Sequence, residues 1–138
     1  FVKNESEQFE ARFSQVHVLR SNSVVLSDMV GSLLPIVVSH GEGRVDADEE
    51  RLARLGEAGL TAMAFTDQQR APATRYPMNP NGSPGGLTAV TSDDGRALAM
   101  MPHPERAFRS IQWSWRPDSL GEYSPWFALF LSAAKQFN

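Results

Sequence analysis

Apolar and polar positions alternate from Phe9 to Arg20, with Phe9, Ala11 and Phe13 in one phase and Val16 and Val18 in the other. A period of two predicts a strand with one buried face, and the change of phase predicts an irregularity near Ser14. Ser23–Leu26 is a candidate second short strand, followed by a loop through Gly31 and Ser32. The run Pro35-Ile36-Val37-Val38-Ser39 lacks the alternation and reads as a strand inside a sheet. From Asp46 to Gly59 the period changes. Acids come first, Leu52 and Leu55 recur at helical spacing, Arg51 and Arg54 follow, and Gly59 supplies a stop, which together predict a helix. Leu60–Asp67 and Gly86–Ser92 read as strands, and Asp93-Asp94-Gly95 has the turn chemistry to join the second of these to Arg96–Met101 as a hairpin. Pro125–Phe137 carries Trp126, Phe127, Leu129, Phe130 and Leu131 and predicts a helix packed on the sheet. No repeat or low-complexity tract interrupts this series. The predicted class is α/β, an open mixed sheet with flanking helices.

Composition narrows the picture. A chain of 138 residues suits one domain with its own core rather than two. The formal charge of −3 is spread through the sequence, so no basic surface for nucleic acid is implied. No apolar run approaches the ~20 residues that span a bilayer, and no leader pattern is present, so a soluble protein without membrane partners is expected. The absence of cysteine removes disulfides and thiolate metal sites. Phe1 opens a stretch that reads as the middle of a folded unit, and we expect the start to be a cut.

Candidate chemistry centres on Met101-Pro102-His103-Pro104-Glu105-Arg106. Each proline fixes its own φ and biases the residue before it toward extended geometry, so His103 is expected at a rigid corner at a strand end. Residues two apart on an extended segment project to one side, which lets Glu105 orient one ring nitrogen of His103 while the other faces a reacting group. The same residues fit a plain turn in which Pro104–Arg109 opens a helix and Glu105 complements its N-terminus. Ser39-His40-Gly41-Glu42-Gly43-Arg44 follows the apolar strand and fits either a ligand-binding loop or a turn that needs its glycines for geometry alone. Tyr76-Pro77-Met78-Asn79-Pro80-Asn81-Gly82-Ser83 holds no titratable pair and reads as a structural loop. A metal site from His17, His40 and His103 with Glu42 or Glu105 lacks any familiar ligand spacing, and no metal is expected. A serine nucleophile, Ser39 or Ser83, lacks the Gly-x-Ser-x-Gly elbow.

Taken in order, these segments resemble one family. Phe1-Val2-Lys3-Asn4, Phe9-Glu10-Ala11-Arg12-Phe13, the His40 loop, Tyr76-Pro77 with Asn79–Ser83, and the His103 run are similar to the glutamine amidotransferase domain of the phosphoribosylformylglycinamidine synthases. The likeness extends to the aromatic tail with Pro125-Trp126 and is nearest to the large single-chain form, in which this domain ends the polypeptide.

The resemblance implies the C-terminal half, residues 1–138, of a class I, flavodoxin-like amidotransferase domain. It implies a Cys-His-Glu triad in which His103 and Glu105 match the base and the orienting acid. His40 and Glu42 match a motif on the active-site face and are assigned a supporting part in binding glutamine, while Tyr76 and Asn81 are loop scaffold. The family's cysteine and oxyanion loop precede the matched region, so this fragment by itself is expected to be inactive. No cofactor is expected in the fragment; ATP and magnesium belong to the synthetase domain, which receives the ammonia. The implied partners are the preceding part of the same polypeptide and glutamine, and the implied compartment is the cytoplasm. The alternative is a noncatalytic interaction or regulatory module that keeps the fold without the chemistry.

Overall fold

The first strand forms without the expected irregularity, and it turns the opposite face inward over its first half. In the computed structural model, which describes residues 1–137, β1 (Glu10–Val18) runs unbroken beside β2 (Leu33–His40), in register from Glu10 opposite His40 to His17 opposite Leu33. Even-numbered residues of β1 face the core, so Glu10, Arg12 and Ser14 point inward ahead of Val16 and Val18. Phe9 and Phe13 lie outward, Phe9 at 66% exposure. The polar inward face is tolerated because its charges are paired. Arg12 bonds the Glu10 carboxylate, the Tyr76 hydroxyl and the Pro77 carbonyl, so no bulge is needed to hide it.

β3 (Thr61–Phe65), β4 (Leu87–Thr91) and β5 (Leu98–Met100) complete a five-stranded sheet in the order β2-β1-β3-β4-β5. The α/β class stands, but every strand pair in it is antiparallel, in place of the mixed sheet expected. Register shifts occur between β3 and β4, at Met63, rather than near Ser14. The predicted β4–β5 hairpin forms around Asp94, whose side chain accepts from Ser92 Oγ and Arg96 N, with Gly95 at φ 70°.

β2 is an edge strand among the described residues, not an interior one. Backbone groups along a strand point alternately to its two sides, and the register sends those of Leu34, Ile36 and Val38 toward β1. Pro35 and Val37 therefore face the outer edge, where a missing proline N–H costs nothing. Trp126, fully buried, donates its indole N–H to the Pro35 carbonyl at 2.7 Å.

α1 (Glu49–Glu57) starts at Asp48, whose carboxylate accepts from Arg51 N, and stops where Gly59 takes φ 71°, close to the predicted limits. Ser23–Leu26 is not a strand. It is a turn leading into a single 3₁₀ turn, Ser27–Met29, with Leu26 and Met29 buried in the core and Val24 N bonded to Gly95 O. α2 (Phe127–Ala134) buries Leu129 and packs near Ser27–Met29, tied by Lys135 and Ser132 to Asp28. The core gathers Val16, Val18, Ile36, Val38, Met63, Phe65 and Trp126 on one side of the sheet.

Candidate active site

His103 sits at the corner that its prolines impose. Its backbone lies outside the helical region, at φ −109° and ψ 89°, as a following proline favours, and its N–H donates to the Val37 carbonyl at 2.8 Å on the outer edge of β2. The segment after it is one 3₁₀ turn, Pro104–Arg106, rather than the helix expected through Arg109. The helix stops there because Ala107 leaves helical geometry at φ −139° and the chain beyond it runs antiparallel to Glu122–Ser124, with Ser124 N donating to Phe108 O and Ser110 N to Glu122 O. Glu105 is thus on a turn, not on an extended segment, yet it reaches the ring: Nδ1 of His103 and Oε1 of Glu105 are 2.7 Å apart. An acceptor at Nδ1 places the proton there and leaves Nε2 as the basic nitrogen. Among the described residues Nε2 has no protein partner, and the His103 side chain is 27% exposed. Arg106 Nε stands 3.8 Å from the same Glu105 oxygen and adds positive charge beside it.

His40 closes the inward series Leu34, Ile36, Val38 on β2 and is buried, at 8% exposure. Its ring centroid lies 6.4 Å from that of His103. Burial in the core pushes its pKa below the ordinary histidine value, and the nearby His103 pushes the same way. The loop beyond it is held by side chains distant in sequence. Asn4 donates to the His40 carbonyl and accepts from Gly43 N, both at 2.9 Å, while Asn81 Nδ2 lies 2.6 Å from Gly43 O and 2.9 Å from His40 Nε2. A Cβ on Gly43 would fall 2.1 Å from His40 Nε2 and 2.2 Å from Asn81 Nδ2, so this approach requires glycine.

The structure brings His40, His103 and Glu105 together and leaves Glu42 on the surface. Glu42 is exposed, makes no hydrogen bond among the described residues, and lines a shallow groove with Lys3, Gln8 and Phe9. Ser83 Oγ accepts from Val45 N at 3.0 Å, and neither it nor Ser39 bonds to His103. Among the described residues no group of three or more His, Asp or Glu side chains could hold a metal ion. The Tyr76–Ser83 segment is scaffold in its contacts: Asn79 donates to Ala73 O and Ser83 O and accepts from Gly82 N and Ser83 N. The part of Asn4 is not visible in the sequence, because its partners are backbone groups up to 39 positions away.

A buried sheet face, with a paired histidine and carboxylate at a corner on its edge, defines an α/β domain with one candidate site. The chain belongs to the family of CobB/CobQ-like glutamine amidotransferase domains, which matches residues 1–137. A solved structure, that of PurLQS from Thermotoga maritima, is similar to it at 19% identity with a TM-score of 0.67. The match covers 99% of this chain and 52% of that one, so the chain spans about half the length of that protein. At this identity the likeness is one of fold.

Proposed function

We propose that residues 1–138 are the C-terminal portion of the glutaminase domain of a phosphoribosylformylglycinamidine synthase of purine biosynthesis, in its large single-chain form. The observation that carries this reading is the 2.7 Å contact between His103 Nδ1 and Glu105 Oε1 in a member of an amidotransferase family. The 138 residues hold no cysteine, so the nucleophile comes from the preceding part of the same polypeptide. His103 Nε2 takes the thiol proton as the sulfur attacks the side-chain amide carbon of glutamine, and returns it to the departing nitrogen as ammonia leaves. Water then attacks the thioester, giving its proton through His103, and glutamate and the thiol are regenerated. Glu105 holds the tautomer that makes Nε2 the base and offsets the imidazolium that forms.

The ammonia passes to a synthetase domain, where ATP and magnesium serve the conversion of formylglycinamide ribonucleotide to the amidine; no residue of this chain is assigned to that chemistry. His40 and Glu42 have a supporting place on the glutamine side of the site. No helix of the described residues is long and apolar enough to cross a membrane. The reading places the enzyme in the cytoplasm.

The test uses the intact polypeptide. His103→Ala is expected to slow glutamine-dependent synthesis by about 10²-fold or more while synthesis from ammonium salts continues. Equal loss of both rates in a folded variant would remove His103 from the role of base, and full retention of both would favour a noncatalytic module.

A further inference from the structure

The amide of Asn81 can be oriented from its surroundings. Gly43 O, 2.6 Å away, only accepts, so the atom facing it must be the amide nitrogen; turning the amide over would set two oxygens against each other. That nitrogen has a second hydrogen, and His40 Nε2 lies 2.9 Å from it, nearer than the 3.2 Å between Nε2 and Asn81 Oδ1, a spacing that two facing donors would not keep. Nε2 therefore accepts, which puts the ring proton of His40 on Nδ1 and makes the ring neutral. Nδ1 is buried without a full hydrogen bond, and the Met101 backbone lies close to the ring, two residues before His103.

The charged and titratable groups around this ring come from two sides. His103 lies 6.4 Å away, and Glu10 stands opposite His40 in the β1–β2 register, with its carboxylate engaged by Arg12. A protonated His40 would set its Nε2–H against the Asn81 nitrogen 2.9 Å away, and would have to exchange that contact for the longer one to Asn81 Oδ1, now at 3.2 Å. It would also set a cation beside the nitrogen that has to take up a proton.

We propose that Asn81 is a positioning residue of the glutaminase reaction: by donating to His40 Nε2 it holds that imidazole in one neutral tautomer beside His103, so that no second cation weakens the base. The inference rests on the reading of His103 as base. It also recasts His40 as a support for the base rather than a contact to glutamine.

Asn81→Asp in the intact polypeptide replaces the donor with an acceptor and favours imidazolium at His40. The acid limb of kcat/KM for glutamine is expected to move up by about one pH unit, because it then follows the raised titration of His40, whose protonated form carries the weakened base, with the ammonium-dependent rate as the measure of folding. Adding His40→Gln to that variant removes the ionisable group and is expected to return the limb to its wild-type position, whatever the height of the profile. A uniform drop at all pH values with the limb unmoved would overturn the proposal. Should the variants lose the ammonium-dependent rate as well, ¹⁵N-histidine spectra of the wild-type protein decide: a proton-free Nε2 on His40 near neutral pH supports it, and a protonated Nε2 overturns it. If His103→Ala leaves glutamine-dependent synthesis intact, the functional reading itself has failed; if it abolishes that synthesis and the Asn81→Asp limb stays in place, only this inference has.

Discussion

At the scale of single residues, His40 and His103 are alike in chemistry and opposite in setting. His103 is partly exposed with a carboxylate on one nitrogen, whereas His40 is buried with the Asn81 amide against its Nε2. Folding lowers the pKa of His40 from its ordinary value of about 6.5, so the neutral ring contributes its full share of stability above that pH. The contribution declines as pH falls through the lowered folded value, because unfolding then takes up a proton. Thermal denaturation between about pH 7 and 5 is expected to show the midpoint of the wild-type chain falling more steeply than that of His40→Gln. Gly43→Ala tests the same enclosure by steric means. Its Cβ would overlap His40 and Asn81, and a loss of about 1–3 kcal/mol in chemical denaturation is expected. The His103–Glu105 pair was legible in the sequence because it is local, two residues within one turn. The Asn4 and Asn81 contacts were not, since an amide that bonds remote backbone groups leaves no pattern along the chain.

Among the elements, the five strands of the sheet and the first helix were legible to within a few residues, whereas Ser23–Leu26, expected as a strand, is a turn that buries Leu26, and the remaining errors share a cause. Periodicity reports which residues are apolar, not which are compensated. In β1 the pairing of Glu10 with Arg12 lets charge face inward, so the apolar phase at Phe9 and Phe13 lies outside and no bulge appears near Ser14. After His103 the helix-forming pattern is overridden by the backbone pairing of Phe108–Ser110 with Glu122–Ser124. The tail helix follows its sequence closely because Trp126 anchors its start to β2. Trp126→Ala is expected to cost about 3–5 kcal/mol of stability. Trp126→Phe, which keeps most of the volume but leaves the Pro35 carbonyl unpaired, should cost about 1–3 kcal/mol. Equal effects of the two would show that the indole N–H, not the ring, dominates.

Over the whole molecule, the α/β class followed from the order of elements, whereas the direction of strand pairing did not, because alternation does not distinguish parallel from antiparallel neighbours. The two faces of the sheet also differ in what they bear. Ile36 is fully enclosed and Phe9 largely exposed, so Ile36→Ala is expected to destabilise the chain by about 2–5 kcal/mol and Phe9→Ser to change it by no more than about 0.5 kcal/mol. Denaturation of the two variants side by side checks whether the polar inward stretch of β1 is the true orientation; a reversed order of losses would contradict it.

The outer edge of β2 carries one more consequence. An unpaired edge strand is a template on which a second chain can add itself, strand to strand. Here Pro35 offers no N–H, its carbonyl is capped by Trp126, and the carbonyl of Val37 is capped by the His103 corner. The His103 corner thus also covers part of this edge among the described residues, and a substitution that loosens it is expected to open a seam for self-association as well as to move the imidazole.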